Sequence, residues 1–236
     1  MKFRHLLIPI LAVATANLAL ADGFIVDKVY HPYVEAMTQE FELRAVAYDD
    51  YRNLPRGETY RLAYGRAFGD RWFGELYLAG QRTSNENLEL EGYEAEVLHQ
   101  ITEQGEYWAD WAVIMEVEKQ HTENIWEAST GVVMEKEFGQ WSTAVNLLVT
   151  SEWGETVQDE LESRLAVQTR YRFREWLEPA LELHSGENSK ALGPAMLGDI
   201  RLGNGRRLHW EVGAFTALDD DTPDYSFRAG VEYEFR

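Results

Sequence analysis

The chain contains no cysteine. That excludes a disulfide framework, a thiolate metal site, thioether-linked haem and a lipid-modified N-terminal cysteine. Basic residues are scarce, with 22 Lys and Arg against 41 Asp and Glu and a net charge of −19. Such a balance excludes the basic face that nucleic-acid binding requires. Beyond Leu20 there is no long apolar run, so a membrane could be crossed only by strands.

What is present begins with a leader. Lys2 and Arg4 precede an apolar run from Leu6 to Leu20, closed by Ala19-Leu20-Ala21 before Asp22, as in a secretory signal and its small-residue cleavage site. Residues 1–21 are therefore set apart as a signal peptide; losing them leaves 20 basic against 41 acidic residues, a charge of −21. Residues 22–35 hold Pro32, which interrupts any ladder, and are expected as a periplasmic leader, either tucked into the mouth of the following domain or free. Residues 36–236 then form one domain.

That domain alternates with period two. In Gln39 to Tyr48, Phe41, Leu43, Ala45 and Ala47 oppose Glu40, Glu42 and Arg44. Comparable segments follow at Thr59–Ala67, Trp72–Gln81, Leu88–Gln100, Tyr107–Glu118, Ile125–Glu137, Trp141–Thr150, Leu161–Arg172, Trp176–His184, Met196–Leu202 and Arg206–Ala217. Tight turns such as Gly203-Asn204-Gly205 alternate with longer polar loops, and the last strand runs to the chain end. About twelve strands with sorted connections predict an all-β fold, an antiparallel up-and-down transmembrane β-barrel. Phe68/Trp72, Phe138/Trp141 and Phe173/Trp176 flank three turns, either as an interfacial girdle or as pairs that fix strand register.

In the last strand, Phe227, Ala229, Val231, Tyr233 and Phe235 share one face, and Arg228, Gly230, Glu232 and Glu234 the other. This stretch resembles the closing strand of Gram-negative outer-membrane β-barrel proteins, although Arg236 follows the terminal aromatic. The resemblance implies export to the outer membrane, contact with its lipid and lipopolysaccharide, and recognition of Phe227 to Phe235 by the barrel assembly machinery.

Charges facing lipid would cost about 2 to 4 kcal/mol each near the midplane, so they are expected inside. The candidate lumen-lining residues are Glu40, Glu42, Arg44, Arg61, Glu75, Glu94, Glu96, Glu116, Arg164, Arg170, Asp199, Arg201, Arg228 and Glu232; Glu127, Glu182 and Glu211 share their faces. The lining is consistent with a narrow, cation-preferring channel for small solutes, or with a non-conducting structural or surface-interaction barrel plugged by ion pairs. No segment resembles the outer-membrane phospholipases or lipid A deacylases, and His184 beside Ser185 points to the opposite face, so no enzyme is expected. No cofactor is expected either. Asp219-Asp220-Asp221 lacks calcium-loop spacing and reads as a solvated loop.

Overall fold

The computed structural model describes residues 26–51, 55–84, 87–155, 160–187 and 189–236; the expected signal peptide and residues 22–25 lie outside them. Twelve strands are ordered β1 (Gln39–Tyr48), β2 (Gly57–Phe68), β3 (Trp72–Thr83), β4 (Glu89–Gln100), β5 (Asp110–Gln120), β6 (Ile125–Phe138), β7 (Trp141–Gly154), β8 (Glu160–Tyr171), β9 (Glu178–Ser185), β10 (Lys190–Gly203), β11 (Arg206–Ala217) and β12 (Tyr225–Phe235). Each pairs antiparallel with its neighbours, and β12 closes on β1. Closure removes every sheet edge, so the strands' backbone groups are satisfied within the wall.

Alternation sets the two faces. Along β1, Glu40, Glu42, Arg44, Val46 and Tyr48 are buried inside, whereas Phe41 and Leu43 are half exposed outside. The outer surface carries Leu62, Leu76, Leu78, Val97, Met115, Val117, Val132, Leu147, Val149, Leu181, Val212 and Val231, the belt expected to face acyl chains.

Rings bound this belt at both ends. At the end holding both β1's start and β12's finish, Phe68, Trp72, Phe138, Trp141, Phe173 and Trp176 are exposed. Phe68 also pairs with Trp72, and Phe138 with Trp141, so these rings fix register as well as lying at an interface. At the other end, Tyr93, Trp126, Trp153 and Tyr225 face outward. From Phe138 to Trp126 the strand spans roughly 40 Å, or about 30 Å along a barrel axis at the usual tilt, which matches a bilayer's apolar core.

Three expectations need correction. Connections are not strictly sorted by length: the turn between β4 and β5, residues 101–109, is longer than the loop between β1 and β2, residues 49–56. It remains compact because Thr102 Oγ1 accepts the Trp111 amide (2.8 Å) and Asp110 accepts the Gly105 amide (2.7 Å). Residues 107–109 thus belong to this turn. Strand β10 begins at Lys190, before the expected Met196, because Gly193-Pro194 is held in the ladder against β9 instead of breaking it. Gly193 lies on the backbone of Ala214 and Phe215 so closely that a Cβ would not fit, and the pairing with β11 skips positions 193 and 194.

Candidate functional site: the lumen and its occupant

Residues 26–35 run inside the barrel. From β1, the chain turns at Met37, whose φ of 64° is unusual for a side chain of this size, and enters the lumen at the turn end. Its anchors climb the wall in order. Glu35 meets Arg207 (3.2 Å) and Arg236 (2.6 Å), Gln100 accepts the Val34 amide (2.8 Å), and Tyr33 donates to Asp110 (2.9 Å). His31 Nδ1 lies 2.8 Å from Glu135.

Tyr30 is the central anchor. Asn146 brackets its backbone, accepting from the amide (2.7 Å) and donating to the carbonyl (2.9 Å), which reproduces a strand pairing with a side chain. The Tyr30 hydroxyl donates its one proton to Glu96 (2.7 Å), with Glu116 the alternative acceptor at 3.1 Å. Its ring covers a buried apolar patch formed by Leu98, Ala112, Ile114, Val133 and Leu148. These inward side chains would face water in an empty lumen, so the wall is built for this segment.

Above Tyr30, Lys28 Nζ reaches Glu42 (3.0 Å), Glu75 (3.1 Å) and the Tyr77 hydroxyl (2.6 Å). Burial alone would lower the Lys28 pKa; Glu42 and Glu75 outweigh it and hold the ammonium well above its ordinary value. Asp27 faces Arg44 at 3.0 Å. Burial would raise its pKa, but Arg44, Arg61 and Arg164 hold it well below the usual carboxylate range. Val26 ends the described segment against Val46, Ala191 and Phe215.

The loop-end half is open by comparison. A cavity of about 250 Å³ is lined by Asp27, Glu91, Glu94, Glu116, Glu118, Glu127, Glu152 and Glu162, with Arg44, Arg61 and Arg164 as its cations among the described residues. Four of these, Glu94, Glu118, Glu127 and Glu152, belong to a ladder of carboxylates at directly opposed positions on five consecutive strands, which Glu160 extends beyond the cavity lining. Like charges so placed repel, which favours a mobile or exchangeable cation among them.

The structure places most sequence-derived candidates inside. Glu40, Glu42, Arg44, Glu75, Glu94, Glu96, Glu116 and Arg228 are buried. Arg61 pairs with Glu94 and reaches Glu118 (3.5 Å), Arg164 meets Glu116 (3.3 Å), and Arg170 meets Glu135 (3.0 Å). Glu232 sits between Glu42 and His209 in the wall. Asp199 bonds His209 (2.8 Å). Arg201 is not brought to this group: it is exposed at the turn rim, paired with Glu175. Across the wall, Arg228 joins Glu182 (2.8 Å) and Glu211 (3.0 Å).

Sequence reasoning missed Glu135, Asn146, Asp110, Lys28 and the ladder members Glu118, Glu152 and Glu160. Alternation along β6 would have put Glu135 inside, but a ladder depends on register among five strands. Asp219, from the acidic loop run, accepts the Thr222 hydroxyl (2.6 Å) within its own turn. His184 is buried against Glu182 (3.1 Å), and His99 stacks on Trp72 at 4.1 Å.

No protein-family model matches the chain, and no curated protein matches it by sequence. Its fold is similar to that of outer-membrane proteins of known structure. An outer membrane channel from Pseudomonas putida F1 is 12% identical, with a TM-score of 0.58 over 89% of this chain and 99% of that one. The beta domain of the Bordetella autotransporter BrkA is 13% identical, with a TM-score of 0.56 over 85% and 100%. A KdgM porin, in complex with disordered oligogalacturonate, is 10% identical, with a TM-score of 0.54 over 84% and 98%. The chain has the closed outer-membrane barrel fold.

Proposed function

We propose that the protein is an outer-membrane channel for small cationic solutes, closed in this conformation by its own residues 26–35. The turn end and both barrel termini face the periplasm, and the acidic cavity opens outside. The observation that carries this reading is the cavity itself: among the described residues, seven wall carboxylates and Asp27 stand against three arginines, and the cavity ends on Val26 and Asp27. Neutral or paired walls would give no charge preference, whereas a surplus of carboxylates concentrates cations at the approach to the plug. The closing strand supports assembly in that membrane. Phe235 pairs with Gln39 and stacks on Phe41 at 5.9 Å, and Phe227 to Phe235 is the segment we assign to recognition by the assembly machinery.

A second reading rests on the Asn146 bracket and the apolar footing beneath Tyr30. These would also suit a permanently plugged barrel that acts through its surface loops. Conductance in planar bilayers separates the two. The intact chain should conduct weakly or in rare bursts. Asn146→Ala combined with Tyr30→Ala, which removes the bracket and its ring, should raise open probability with cation preference. Silence of both proteins at every voltage would overturn the channel reading.

A further inference from the structure

We propose that Glu42, Glu75 and Tyr77, with Glu40 beside them, form a binding site for a primary alkylammonium group, and that Lys28 is its tethered occupant. The proposal rests on the channel reading for its physiological meaning, since solute would have to displace the segment that carries Lys28.

The coordination carries the argument. A primary ammonium has three N–H donors, and the Lys28 nitrogen has three acceptors within reach: Glu42 Oε2, Glu75 Oε2 and the Tyr77 hydroxyl oxygen, at 3.0, 3.1 and 2.6 Å. Two aromatic faces flank the same nitrogen, with the Tyr30 and Tyr77 ring centres 5.0 and 5.3 Å away. Carboxylates combined with ring faces form a recognised cradle for ammonium cations.

The cradle is larger than one lysine needs. Carboxylate oxygens of Glu40, Glu42 and Glu75 lie within 4.8 Å of one another. Glu75 is 5% exposed, and its Oε1 has no hydrogen-bond partner. A buried carboxylate oxygen without a donor is costly, and among the described residues Lys28 and Arg44 are the cations that meet this group. The site belongs to the wall: Glu42 lies on β1 and Glu75 and Tyr77 on β3, while its ligand arrives from residues 26–35. A wall that supplies the acceptors and a separate segment that supplies the cation is the arrangement of a site with an internal ligand. The acidic ladder above it would draw free cations of the same type toward it.

The test is chemical complementation of Lys28→Ala in the full chain, folded in detergent. This substitution removes three methylene groups and the nitrogen, the outline of propylammonium. Its thermal midpoint, read as loss of the compact, heat-modifiable gel band, should fall below that of the parent. Propylammonium chloride should restore it in a saturable way, and tetramethylammonium or sodium chloride at equal concentration should not. Adding Glu75→Gln to Lys28→Ala should abolish that recovery. Should Lys28→Ala not fold unaided, the same salts are placed in the refolding mixture and the folded fraction is read instead. Equal recovery with all three salts, or none with any, would overturn the site. The measurement involves no conductance, so its failure leaves the channel reading to the bilayer experiment, and a silent bilayer leaves the site standing.

Discussion

The two halves of the lumen have the same kind of wall and different fates. Toward the turn end, Glu42, Glu75, Glu96, Asp110 and Glu135 each meet a donor from residues 28–33. Toward the loop end, Glu118, Glu127 and Glu152 face one another across the strands, with arginine reaching only the edge of the row. Pairing, not acidity, separates a plug from a cavity.

The widest separation should come from matched alanines. Glu135 is fully buried and holds His31, Arg170 (3.0 Å) and the Ser142 hydroxyl, so Glu135→Ala leaves the largely buried Arg170 guanidinium with the more distant Glu178 (3.6 Å) as its counter-charge. Breaking such a pair costs about 3 to 5 kcal/mol. Glu127→Ala, in the cavity, should change stability by no more than about 0.5 kcal/mol. Urea unfolding of both variants in detergent checks this. A loss at Glu127 as large as that at Glu135 would mean that the cavity is also ion-paired.

The comparison also extends through the wall. Val231 faces outward and Glu232 inward on β12, so Val231→Arg should cost about 2 to 4 kcal/mol and impair assembly. Glu232→Arg places its charge near Glu42 in the lumen and should be tolerated better. The yield of heat-modifiable protein in membranes is the readout, and equal yields would reverse the assignment of faces.

The fold was legible in the sequence to the extent that it depends on single strands. Alternation located all twelve, and Gln39–Tyr48 and Arg206–Ala217 agree with β1 and β11 at both ends. The start of β10 was not legible, because residues 190–195 are held as strand by their pairing with β9, at Gly193 and Pro194 on that side alone. The site was half legible. Period two identifies Glu42 and Glu75 as inward residues, because each position depends only on its own strand. It cannot identify Lys28 as their partner, because residues 26–35 have no period and their path is set by anchors as remote as Asn146. The carboxylate ladder was hidden for a related reason: it exists only once five registers are fixed.

A smaller effect tests the junction of the two halves. Asp27, beside Arg44, has a folded-state pKa below its unfolded value of about 3.9. Its contribution is complete above about pH 4 and is lost as pH falls through the depressed value. Asp27→Asn should therefore cost about 1 kcal/mol, with the same difference from the parent at pH 8 and pH 5. The difference should narrow only in stronger acid. Thermal midpoints of parent and variant across this range measure it, and narrowing already between pH 8 and pH 5 would mean that the Arg44 pair is not the source.

The smallest expected stability change bears most directly on function. Glu118, Glu127 and Glu152 are opposed in register, so removing the middle charge relieves repulsion on both sides. Glu127→Gln should stabilise the barrel slightly, by up to about 0.5 kcal/mol, the opposite sign from Glu135→Ala in the plugged half. In a background opened by Asn146→Ala and Tyr30→Ala, it should also reduce cation over anion selectivity, read as a smaller reversal potential under a salt gradient, while open probability stays the same. Stability and selectivity would then respond to different halves of one lumen. If Glu127→Gln changed open probability but not selectivity, the ladder would belong to the plug's support and the cation path would have to be sought elsewhere in the barrel.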